Sequence, residues 1–478
     1  MIPFSYSHDG TSPRLLKGLL YGFLAWCGVG GYFLRAEVRL PSVISDHMVL
    51  QEGSQVRWWG WADPAEKITI QSSWGESIEG VADSGGRWHF NMSTPKAGGP
   101  HEVRIAGTNE HVVKDVMVGE VWLCSGQSNM EWSGRQQLPQ SLEEGPLAVL
   151  PEMRFFEIPK TTSQHPQDQC EGRWKVCSPE TMPSFSAVGY FFGKRLHQRL
   201  QVPVGLIGAY WGGTPAEVWT PEKVVVEHPA LLEAAGELEP FAWWPKDPGL
   251  TYNAMIHPIT PYHISGVIWY QGESNVKTAS TYRSLFTSMI QSWRDAWQQE
   301  SLPFYFVQIA PFAYDEPMVA ARLREAQTQS LSLPETGMVV VSDLVDNLKD
   351  IHPVNKRDVG LRLAHLALDQ TYGDSKAGPH QSPTYQSHEI RGRKVRIQVD
   401  HAAGGLVARE DRITGFELAG VDRVFHPASV SIEGSALICQ SDQVPQPVAV
   451  RFCFSNTAVP TLFSQQGMPL NAFRTDDW

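Results

Sequence analysis

Between residues 116 and 375, short apolar runs alternate with helical stretches, and this alternation constrains the fold more than any other feature of the chain. Strands that alternate with helices along a chain predict an α/β fold, a mainly parallel sheet wrapped by helices. In such sheets, ligand sites form at the carboxyl ends of the strands. The predicted strands are Val121–Cys124, Val204–Tyr210, Gly266–Tyr270, Phe304–Ile309 and Met338–Val341, and the predicted helices include Val188–Arg199, Thr281–Gln299 and Asn355–Tyr372.

The sequence on both sides of this region is typical of β structure. A chain of 478 residues is long enough for two to four domains. Residues 37–115 contain short alternating runs that are separated by Gly, Pro, Asp and Asn, which predicts a small β-sandwich-like module. Residues 376–478 return to the same pattern and predict a second β-rich module. The catalytic domain is therefore expected within residues 116–375.

The first 36 residues predict an export signal rather than a part of the fold. Arg14 and Lys17 precede an apolar span over residues 18–34, and the small residue Ala36 follows. This is the pattern of a secretory signal peptide. The span is short for a membrane helix, and an uncleaved N-terminal anchor is the alternative. We therefore expect a secreted or periplasmic protein, in contact with a membrane only if this segment is uncleaved.

Five cysteines follow the predicted leader. An exported protein favours disulfides, and the spacing suggests the pairs Cys170–Cys177 and Cys439–Cys453. The alternative is four buried thiols, because a fold of this size does not need covalent cross-links. Cys124 is left over, and its place on a predicted strand indicates packing.

Charge and motif content exclude several classes of function. The net charge of −12 argues against general binding to nucleic acid or to anionic membranes. The chain has no H-E-x-x-H motif, no Cys/His cluster and no glycine-rich phosphate loop after a strand, so neither a metal nor a cofactor is expected. Nothing in the sequence sets the oligomeric state.

The turn Gly126-Gln127-Ser128-Asn129 begins two residues after the end of the predicted strand Val121–Cys124. A strand-to-helix turn of this kind exposes a serine hydroxyl beside free backbone N–H groups, which are the first requirements of acyl transfer. An ordinary polar turn is the alternative, since such turns are common. There is no G-x-S-x-G elbow, so the common lipase type is disfavoured.

Three further polar segments follow predicted strands and complete a possible site. In Trp211–Pro215, Gly212 and Gly213 allow a close backbone approach and an N–H aimed at an oxyanion. In Gln271–Asn275, side-chain amides could donate to the same oxyanion, and we take Gln271, Glu273 and Asn275 as oxyanion or substrate-binding candidates. In Asp346–Pro353, His352 lies close to acids and predicts a general base with an orienting carboxylate. Each segment alone is equally compatible with a structural loop.

Together these residues resemble the sialate O-acetylesterases, which belong to the wider SGNH hydrolase group. The likeness runs from about residue 38 to 475. It is carried by Gly126–Met130, Trp211–Pro215, Trp269–Asn275 and Ile351–Pro353, with further support from Asp46–Gln51, Tyr252–Pro258 and Gly404–Arg409.

The resemblance implies a flavodoxin-like, three-layer SGNH domain with a parallel sheet, and Ser128 as nucleophile with His352 as base. It also implies an oxyanion site formed by the N–H groups of Ser128 and Gly213 with a side chain of the Gln271–Asn275 loop. Many SGNH enzymes place the aspartate three residues before the histidine, where this chain has Lys349. Asp350, Asp346 or a backbone carbonyl could support His352, and we favour Asp350.

The expected function is that of an exported serine esterase that removes O-acetyl groups from a carbohydrate, most simply sialic acid. Arg135 could face a sialate carboxylate, although it could equally be a surface arginine. The alternatives are an acetyl xylan or pectin esterase of the same fold, a peptidase or lipase on the same scaffold, and a non-enzymatic surface protein that binds carbohydrate. An acetylated carbohydrate is the expected partner of a sialic acid esterase and of a xylan or pectin esterase alike.

Overall fold

A computed structural model describes the fold of residues 37–402 and 404–478. The expected export signal or anchor in residues 1–36 lies outside the described residues.

From residue 37 onward, six short strands precede the longest strand that the structure describes. Their residues alternate between buried and exposed, as in β3, where Ile68 and Ile70 are buried and Lys67 and Gln71 are exposed. β3 pairs antiparallel with β4 and with β6, and β2 pairs with β5. The six are β1 (Val49–Gln51), β2 (Gln55–Trp61), β3 (Lys67–Ser72), β4 (Ser77–Val81), β5 (Arg87–Ser93) and β6 (Gly98–Ala106).

Strand β7 (Glu110–Gly126) has 17 residues and joins the first β region to the central sheet. Its first half pairs antiparallel with β6, and every residue from Val116 to Gly126 is buried. The strand runs across residue 115, where the sequence pattern places the end of the first module. The first β region and the α/β region therefore share one strand.

The central sheet continues with six more strands in the order β13-β12-β11-β7-β10-β8-β9. All neighbours are parallel except β8 and β9. Since β10 lies on one side of β7 and β11 on the other, the carboxyl end of β7 is a topological switch point. The strands are β8 (Leu150–Glu157), β9 (Trp174–Cys177), β10 (Val204–Tyr210), β11 (Gly266–Tyr270), β12 (Phe304–Val307) and β13 (Thr336–Val339).

Helices cover both faces of this sheet, as the alternation of strands and helices predicts. α3 packs against α8 on one face, and α6 packs against α7 on the other. Asn355 caps α8, because its side-chain oxygen accepts from the N–H of Asp358. The helices are α1 (Ser128–Glu131), α2 (Pro139–Glu144), α3 (Ala187–Leu200), α4 (Glu222–Val226), α5 (Pro229–Gly236), α6 (Ala279–Trp297), α7 (Val319–Gln329) and α8 (Lys356–Gln370).

The apolar core is divided by the sheet into two layers. Along β7, Val121 and Leu123 belong to the layer that contains α6, whereas Trp122 and Cys124 belong to the layer that contains α3 and α8. Successive side chains of a strand point to opposite faces, so a strand buried on both sides must be continuously apolar. This is why the central strands are recognisable as unbroken apolar runs.

The C-terminal region consists of ten strands in antiparallel pairings. Two four-stranded sheets have the orders β14-β15-β20-β19 and β18-β17-β21-β23, and β16 pairs with β22. Residues 37–478 form a single compact unit. The strands are β14 (Thr384–Arg391), β15 (Lys394–Asp400), β16 (Leu406–Ala408), β17 (Phe416–Ala419), β18 (Phe425–Pro427), β19 (Ser429–Glu433), β20 (Ala436–Gln440), β21 (Ala449–Phe452), β22 (Leu462–Ser464) and β23 (Phe473–Arg474).

The two expected disulfides are not formed, which corrects the interpretation of the cysteine spacing. All five described cysteines are buried free thiols. Cys439 lies in β20 and Cys453 follows β21, and these strands belong to different sheets. The Cys177 thiol lies 3.7 Å from the carbonyl oxygen of Ala148 and donates to it. Burial raises the pKa of Cys170, Cys177, Cys439 and Cys453 to about 12, so these are packing residues.

Within residues 37–402 and 404–478, no helix combines the length and the apolar character that crossing a bilayer requires.

Candidate active site

The turn that carries Ser128 lies at the topological switch point of the sheet. β7 ends at Gly126 and α1 begins at Ser128. Gly126 has φ +136°, and a Cβ at this position would lie 2.2 Å from the carbonyl oxygen of Tyr270. The N–H of Gln127 donates to that same oxygen at 3.0 Å. Only glycine fits so close to the end of β11, and this contact fixes where the serine leaves the strand.

Ser128 and His352 are in direct contact. The Oγ of Ser128 lies 2.9 Å from Nε2 of His352, although the two residues are 224 positions apart in the chain. The imidazole stacks on the indole of Trp132, with ring centroids 4.3 Å apart and planes 16° from parallel. Nucleophilic catalysis needs a nucleophile and a base within hydrogen-bond distance of each other, and a third group that holds the base in place.

Asp350 is the acid that lies next to His352. Its Oδ1 accepts the backbone N–H of His352 at 2.9 Å and lies 3.4 Å from the ring Nδ1. The carboxylate is half exposed. Asp346 instead faces the backbone N–H of Val354 at 3.5 Å, and no ion pair joins it to His352 in the described part of the chain. The structure therefore pairs Asp350 with His352, but through a long and solvated contact.

The His352 imidazole is disposed to be neutral. Burial lowers its pKa most, the Lys356 ammonium lowers it further, and Asp350 and Glu131 oppose these effects. A histidine whose pKa lies below its ordinary value of 6.5 is unprotonated at neutral pH. It can therefore accept the proton of a serine hydroxyl there.

Two backbone N–H groups beside Ser128 are available for an oxyanion. Neither Ser128 nor Gly213 donates its N–H to a protein acceptor in the described ranges. Gly212 contributes differently, because its N–H donates to Oε2 of Glu131 at 2.6 Å. A Cβ at Gly212 would lie 3.2 Å from Cβ of Ser128, so this loop borders the nucleophile. The N–H groups of Ser128 and Gly213 are therefore free to donate to a negatively charged oxygen.

The Gln271–Asn275 loop is placed differently from the sequence expectation. The Gln271 amide donates to Oδ1 of Asn275 at 2.8 Å, and its oxygen accepts the hydroxyl of Tyr282. The Asn275 amide donates to both carboxylate oxygens of Glu217, at 3.2 and 2.9 Å. Both side chains are fully buried. Their donors are consumed by the protein itself, so the loop supports the site without facing the reacting hydroxyl.

Glu273 lies beneath the site instead of in it. Its Oε1 accepts the amide of Asn129 at 2.5 Å, while its buried Oε2 has no hydrogen-bond partner among the described residues. Burial raises the pKa of this carboxyl. Ser274, the neighbouring residue, donates its hydroxyl to the carbonyl of Gly213 at 2.8 Å. The loop thus fixes the oxyanion segment from below.

Four residues of the site were not singled out by the sequence patterns, and one of them is Trp132, which stacks on the His352 imidazole. Glu131 holds the Gly212 loop and also pairs with Lys160 at 2.6 Å. Asn129 and Lys356 form a buried contact, with Nζ 2.5 Å from Oδ1. Lys356 is at the start of α8, where a lysine is ordinarily a solvated surface residue, and so no sequence signal marks it. Asn129 could have been noticed as part of the turn that carries Ser128.

An open cavity of about 480 Å³ is lined in part by Glu131, which lies in the same short helix as Ser128. Tyr210, the last residue of β10, forms part of its wall, and Lys160, Arg173 and Lys175 place three cations along it. Arg135 does not line this cavity; it is exposed, and its N–H is bonded to the Ser133 hydroxyl in a helix cap. In residues 37–402 and 404–478, no cluster of three or more His, Cys, Asp or Glu residues is arranged to hold a metal ion.

An aromatic cluster borders the other side of the oxyanion loop. A Cβ at Gly213 would lie 2.2 Å from the indole of Trp244, and Trp244 stacks on Phe241 at 3.9 Å. The indole N–H of Trp211 donates to the carbonyl of Trp243 at 2.9 Å. Trp243 is 75% exposed and Phe241 is 47% exposed. Apolar rings so close to a polar site form a surface on which a flat ligand face can pack.

Comparisons with known proteins agree on one family. Residues 118–369 match the family described as carbohydrate esterase, sialic acid-specific acetylesterase. The sialate O-acetylesterase of Homo sapiens is 29% identical over 449 residues, which cover 84% of this chain and 83% of that protein. The sialate O-acetylesterase of Mus musculus is 29% identical over 448 residues, covering 80% of this chain and 82% of that protein.

A solved structure gives the same result. The carbohydrate acetylesterase from Xanthomonas citri is 37% identical to this chain, and the match covers 92% of this chain and 100% of that one with a TM-score of 0.84.

Proposed function

Since the chain belongs to the family of carbohydrate esterases described as sialic acid-specific acetylesterases, we propose that it removes O-acetyl groups from sialic acid through an acetyl-Ser128 intermediate. It is a carboxylic ester hydrolase. The observation that carries the mechanism is the 2.9 Å contact between Oγ of Ser128 and Nε2 of His352, beside two unpaired backbone N–H groups. This contact also argues against a non-enzymatic carbohydrate-binding role.

The first half-reaction transfers the acetyl group to the enzyme. Nε2 of His352 takes the hydroxyl proton of Ser128 while Oγ attacks the ester carbonyl carbon. The negative charge that develops on the carbonyl oxygen is held by the N–H groups of Ser128 and Gly213. Each such donor contributes about 3 kcal/mol in comparable sites. Collapse of the tetrahedral intermediate breaks the ester C–O bond, and the imidazolium gives its proton to the departing sugar oxygen.

The second half-reaction returns the enzyme to its starting state. A water molecule gives a proton to His352 and attacks the acetyl-serine carbonyl, and the same two N–H groups hold the oxyanion. Collapse of this intermediate breaks the bond to Oγ, which takes the proton back from the imidazolium. The products are acetate and a sugar with a free hydroxyl.

The cavity beside Glu131 supports an anionic sugar as the substrate. The side chains of Arg173 and Lys175 make no hydrogen bond or ion pair with another residue of the described ranges, so both cations are available to a ligand. Of the three acids in the cavity, Glu131 and Glu157 already accept hydrogen bonds. Arginine binds carboxylates through paired, charge-assisted hydrogen bonds, and sialic acid differs from xylose in carrying a carboxylate.

The aromatic cluster of Phe241, Trp243 and Trp244 supports a sugar ring as the leaving group. A pyranose has an apolar face of C–H bonds, which packs on an exposed aromatic ring. Trp243 is held by its backbone to Trp211 and presents its ring to solvent, beside the loop that carries Gly213. The cluster is therefore placed to orient the sugar while its acetyl group reaches Ser128.

The finer fold assignment is also part of this proposal. If β8 and β9 are regarded as an edge addition, the remaining parallel strands have the order β10-β7-β11-β12-β13, which is the flavodoxin-like order 2-1-3-4-5. This order supports an SGNH-type catalytic domain within residues 116–375. The antiparallel pairings of β2–β6 and of β14–β23 support β-sandwich-like modules in residues 37–115 and 376–478, with β7 shared across the first boundary. Mild proteolysis followed by mass spectrometry tests the C-terminal boundary: a cut between α8 and β14 is expected, and a cut inside β11 or β12 would contradict it.

We propose export on the basis of the N-terminal segment alone. Arg14, Lys17 and the apolar residues 18–34 have the pattern of a signal peptide. Mass spectrometry of the mature N-terminus from the native host tests this: a start near residue 37 is expected, and an intact Met1 on a cytoplasmic protein would contradict it.

The experiment that tests the function measures acetate release from O-acetylated sialic acid and from acetylated xylan. Wild type should act faster on the sialic acid ester, and Ser128→Ala should lose turnover on both while remaining folded. Ser429→Ala, which alters a hydroxyl in β19 far from the site along the chain, serves as the control. Faster hydrolysis of xylan would contradict the sialic acid assignment, and full activity of Ser128→Ala would contradict the mechanism.

A further inference from the structure

Lys356 is an unusual residue because it is a lysine with 1% of its surface exposed. Lysine is almost never fully buried without partners, since removing an ammonium from water is costly. Its Nζ donates to Oδ1 of Asn129 at 2.5 Å. It also lies 5.5 Å from the ring centroid of Trp132 and 5.7 Å from that of Tyr270, in cation–π range of both.

Asn129 connects this lysine to both reacting residues. It follows Ser128 in the chain, and its Nδ2 donates to the carbonyl oxygen of Ile351, the residue before His352, at 3.0 Å. The same amide donates to Glu273 at 2.5 Å. Lys356 and Glu273 therefore hold opposite ends of one buried amide. That amide in turn links the turn of the nucleophile to the loop of the base.

Trp132 provides a second connection. Its ring stacks on the His352 imidazole, and it also lies near the Lys356 ammonium. The imidazole is thus placed by Trp132 on one side and by the loop that Asn129 fixes on the other. Asp350 cannot supply this rigidity alone, because its contact with Nδ1 is 3.4 Å long and half exposed.

We propose that Lys356 is a positioning residue of the reaction: through Asn129 and Trp132 it holds His352 against Ser128, and its positive charge keeps the imidazole in the neutral form that accepts a proton. The proposal rests on the roles assigned above to Ser128 and His352. It does not depend on which acetylated sugar is the substrate.

The charged groups around the pair agree with this role. The imidazole faces Glu131 from α1, Asp350 from its own loop and Lys356 from α8. After burial, the lysine lowers the His352 pKa, whereas the two acids raise it. Around Lys356, burial lowers the ammonium pKa to about 7, while Glu273, Asp350 and Asp346 oppose that change.

The sign of the effect follows from these two shifts. Below about pH 7 the lysine is protonated. It then repels a proton from His352, so the base stays neutral further into the acid range. Above that pH the lysine loses its charge, but the imidazole is already neutral there. The charge of Lys356 therefore acts on the acid limb of the pH–rate profile, whereas its hydrogen bond to Asn129 acts at every pH.

The test is the pH dependence of kcat/KM for p-nitrophenyl acetate in wild type, Lys356→Met and Lys356→Gln. Loss of a hydrogen bond to a charged group typically costs a factor of about ten to a hundred, and we expect Lys356→Met to lose that much at pH 7. Both variants should move the acid limb to higher pH. Lys356→Gln should retain more activity, because its amide can still donate to Asn129.

Lys349→Met is the matched control, since Lys349 is exposed in the same loop three residues before His352. It should leave both the rate and the acid limb unchanged. A folded Lys356→Met variant with an unmoved acid limb would overturn the proposal, as would equal shifts in Lys349→Met.

If neither Lys356 variant folds, the wild-type profile can still overturn the proposal, because a positive charge close to a buried imidazole requires an acid limb below pH 6.5, the ordinary histidine value. An acid limb at or above that pH would overturn it. Failure of the proposed function is recognisable separately, as activity that persists in Ser128→Ala.

Discussion

Replacing Asp350 should cost this enzyme far less than the loss of a triad aspartate usually does. In a triad with a buried aspartate, the Asp→Asn change lowers kcat by about 10⁴. Here Oδ1 of Asp350 lies 3.4 Å from Nδ1 of His352, beyond ordinary hydrogen-bond distance, and the side chain is 49% exposed. Ion pairs of that exposure contribute about 0.2–1 kcal/mol, which corresponds to a factor of about 1.4 to 5 in kcat/KM.

The assay compares kcat/KM of wild type, Asp350→Asn and Asp350→Ala with p-nitrophenyl acetate. Asparagine can still accept the His352 backbone N–H, which Oδ1 of Asp350 accepts at 2.9 Å, so Asp350→Asn should lose no more than about fivefold. Alanine also removes this loop contact and should lose about a further two- to tenfold. The loss in Asp350→Asn should shrink at high ionic strength, because salt screens exposed charges. A thousandfold loss in Asp350→Asn would refute the reasoning.

Two further substitutions test the oxyanion loop and the aromatic cluster. Gly213→Ala should lower kcat/KM for p-nitrophenyl acetate by about a hundredfold or more, because φ is +83° and the new Cβ would lie 2.2 Å from Trp244, which displaces an oxyanion donor. Gly236→Ala, where a Cβ meets nothing within 4 Å, is the control, and equal losses in the two variants would contradict the assignment. Trp243→Ala should lower kcat/KM for O-acetylated sialic acid by about two- to tenfold and leave p-nitrophenyl acetate unaffected. A similar loss on both esters would show that Trp243 supports the structure of the site and does not bind the sugar.

The sheet could be predicted from the sequence because its strands are buried on both faces. The runs Val204–Tyr210 and Gly266–Tyr270 match β10 and β11 residue for residue. Strands β8 and β9 were not predicted. In β8, Pro151 and Glu152 are exposed, so the strand does not appear as an apolar run. The sequence pattern places the end of the first module at residue 115, but β7 continues through that position. Turn residues indicate where loops lie, and they do not show that two regions share a strand.

The sequence could predict those parts of the site that depend on local sequence signals. A serine in a strand-to-helix turn and a histidine before a helix are local signals, and the structure brings Ser128 and His352 together. The hydrogen-bond acceptors of the Gln271 and Asn275 amides cannot be identified from the local sequence. Their acceptors include Glu217, which lies 58 residues from Asn275 in the chain. Lys356 was missed for a similar reason, because its burial depends on Asn129, 227 residues away.

The most direct test of the account is to trap the acetyl group on the enzyme. Wild type and Ser128→Ala would be mixed with p-nitrophenyl acetate, quenched in acid within the first turnover, digested, and examined by mass spectrometry. The account predicts one acetyl group on the peptide that contains Ser128 in wild type, and none in Ser128→Ala. Turnover without acetylation of Ser128, or an acetyl group on another residue that forms and decays at the turnover rate, would contradict it.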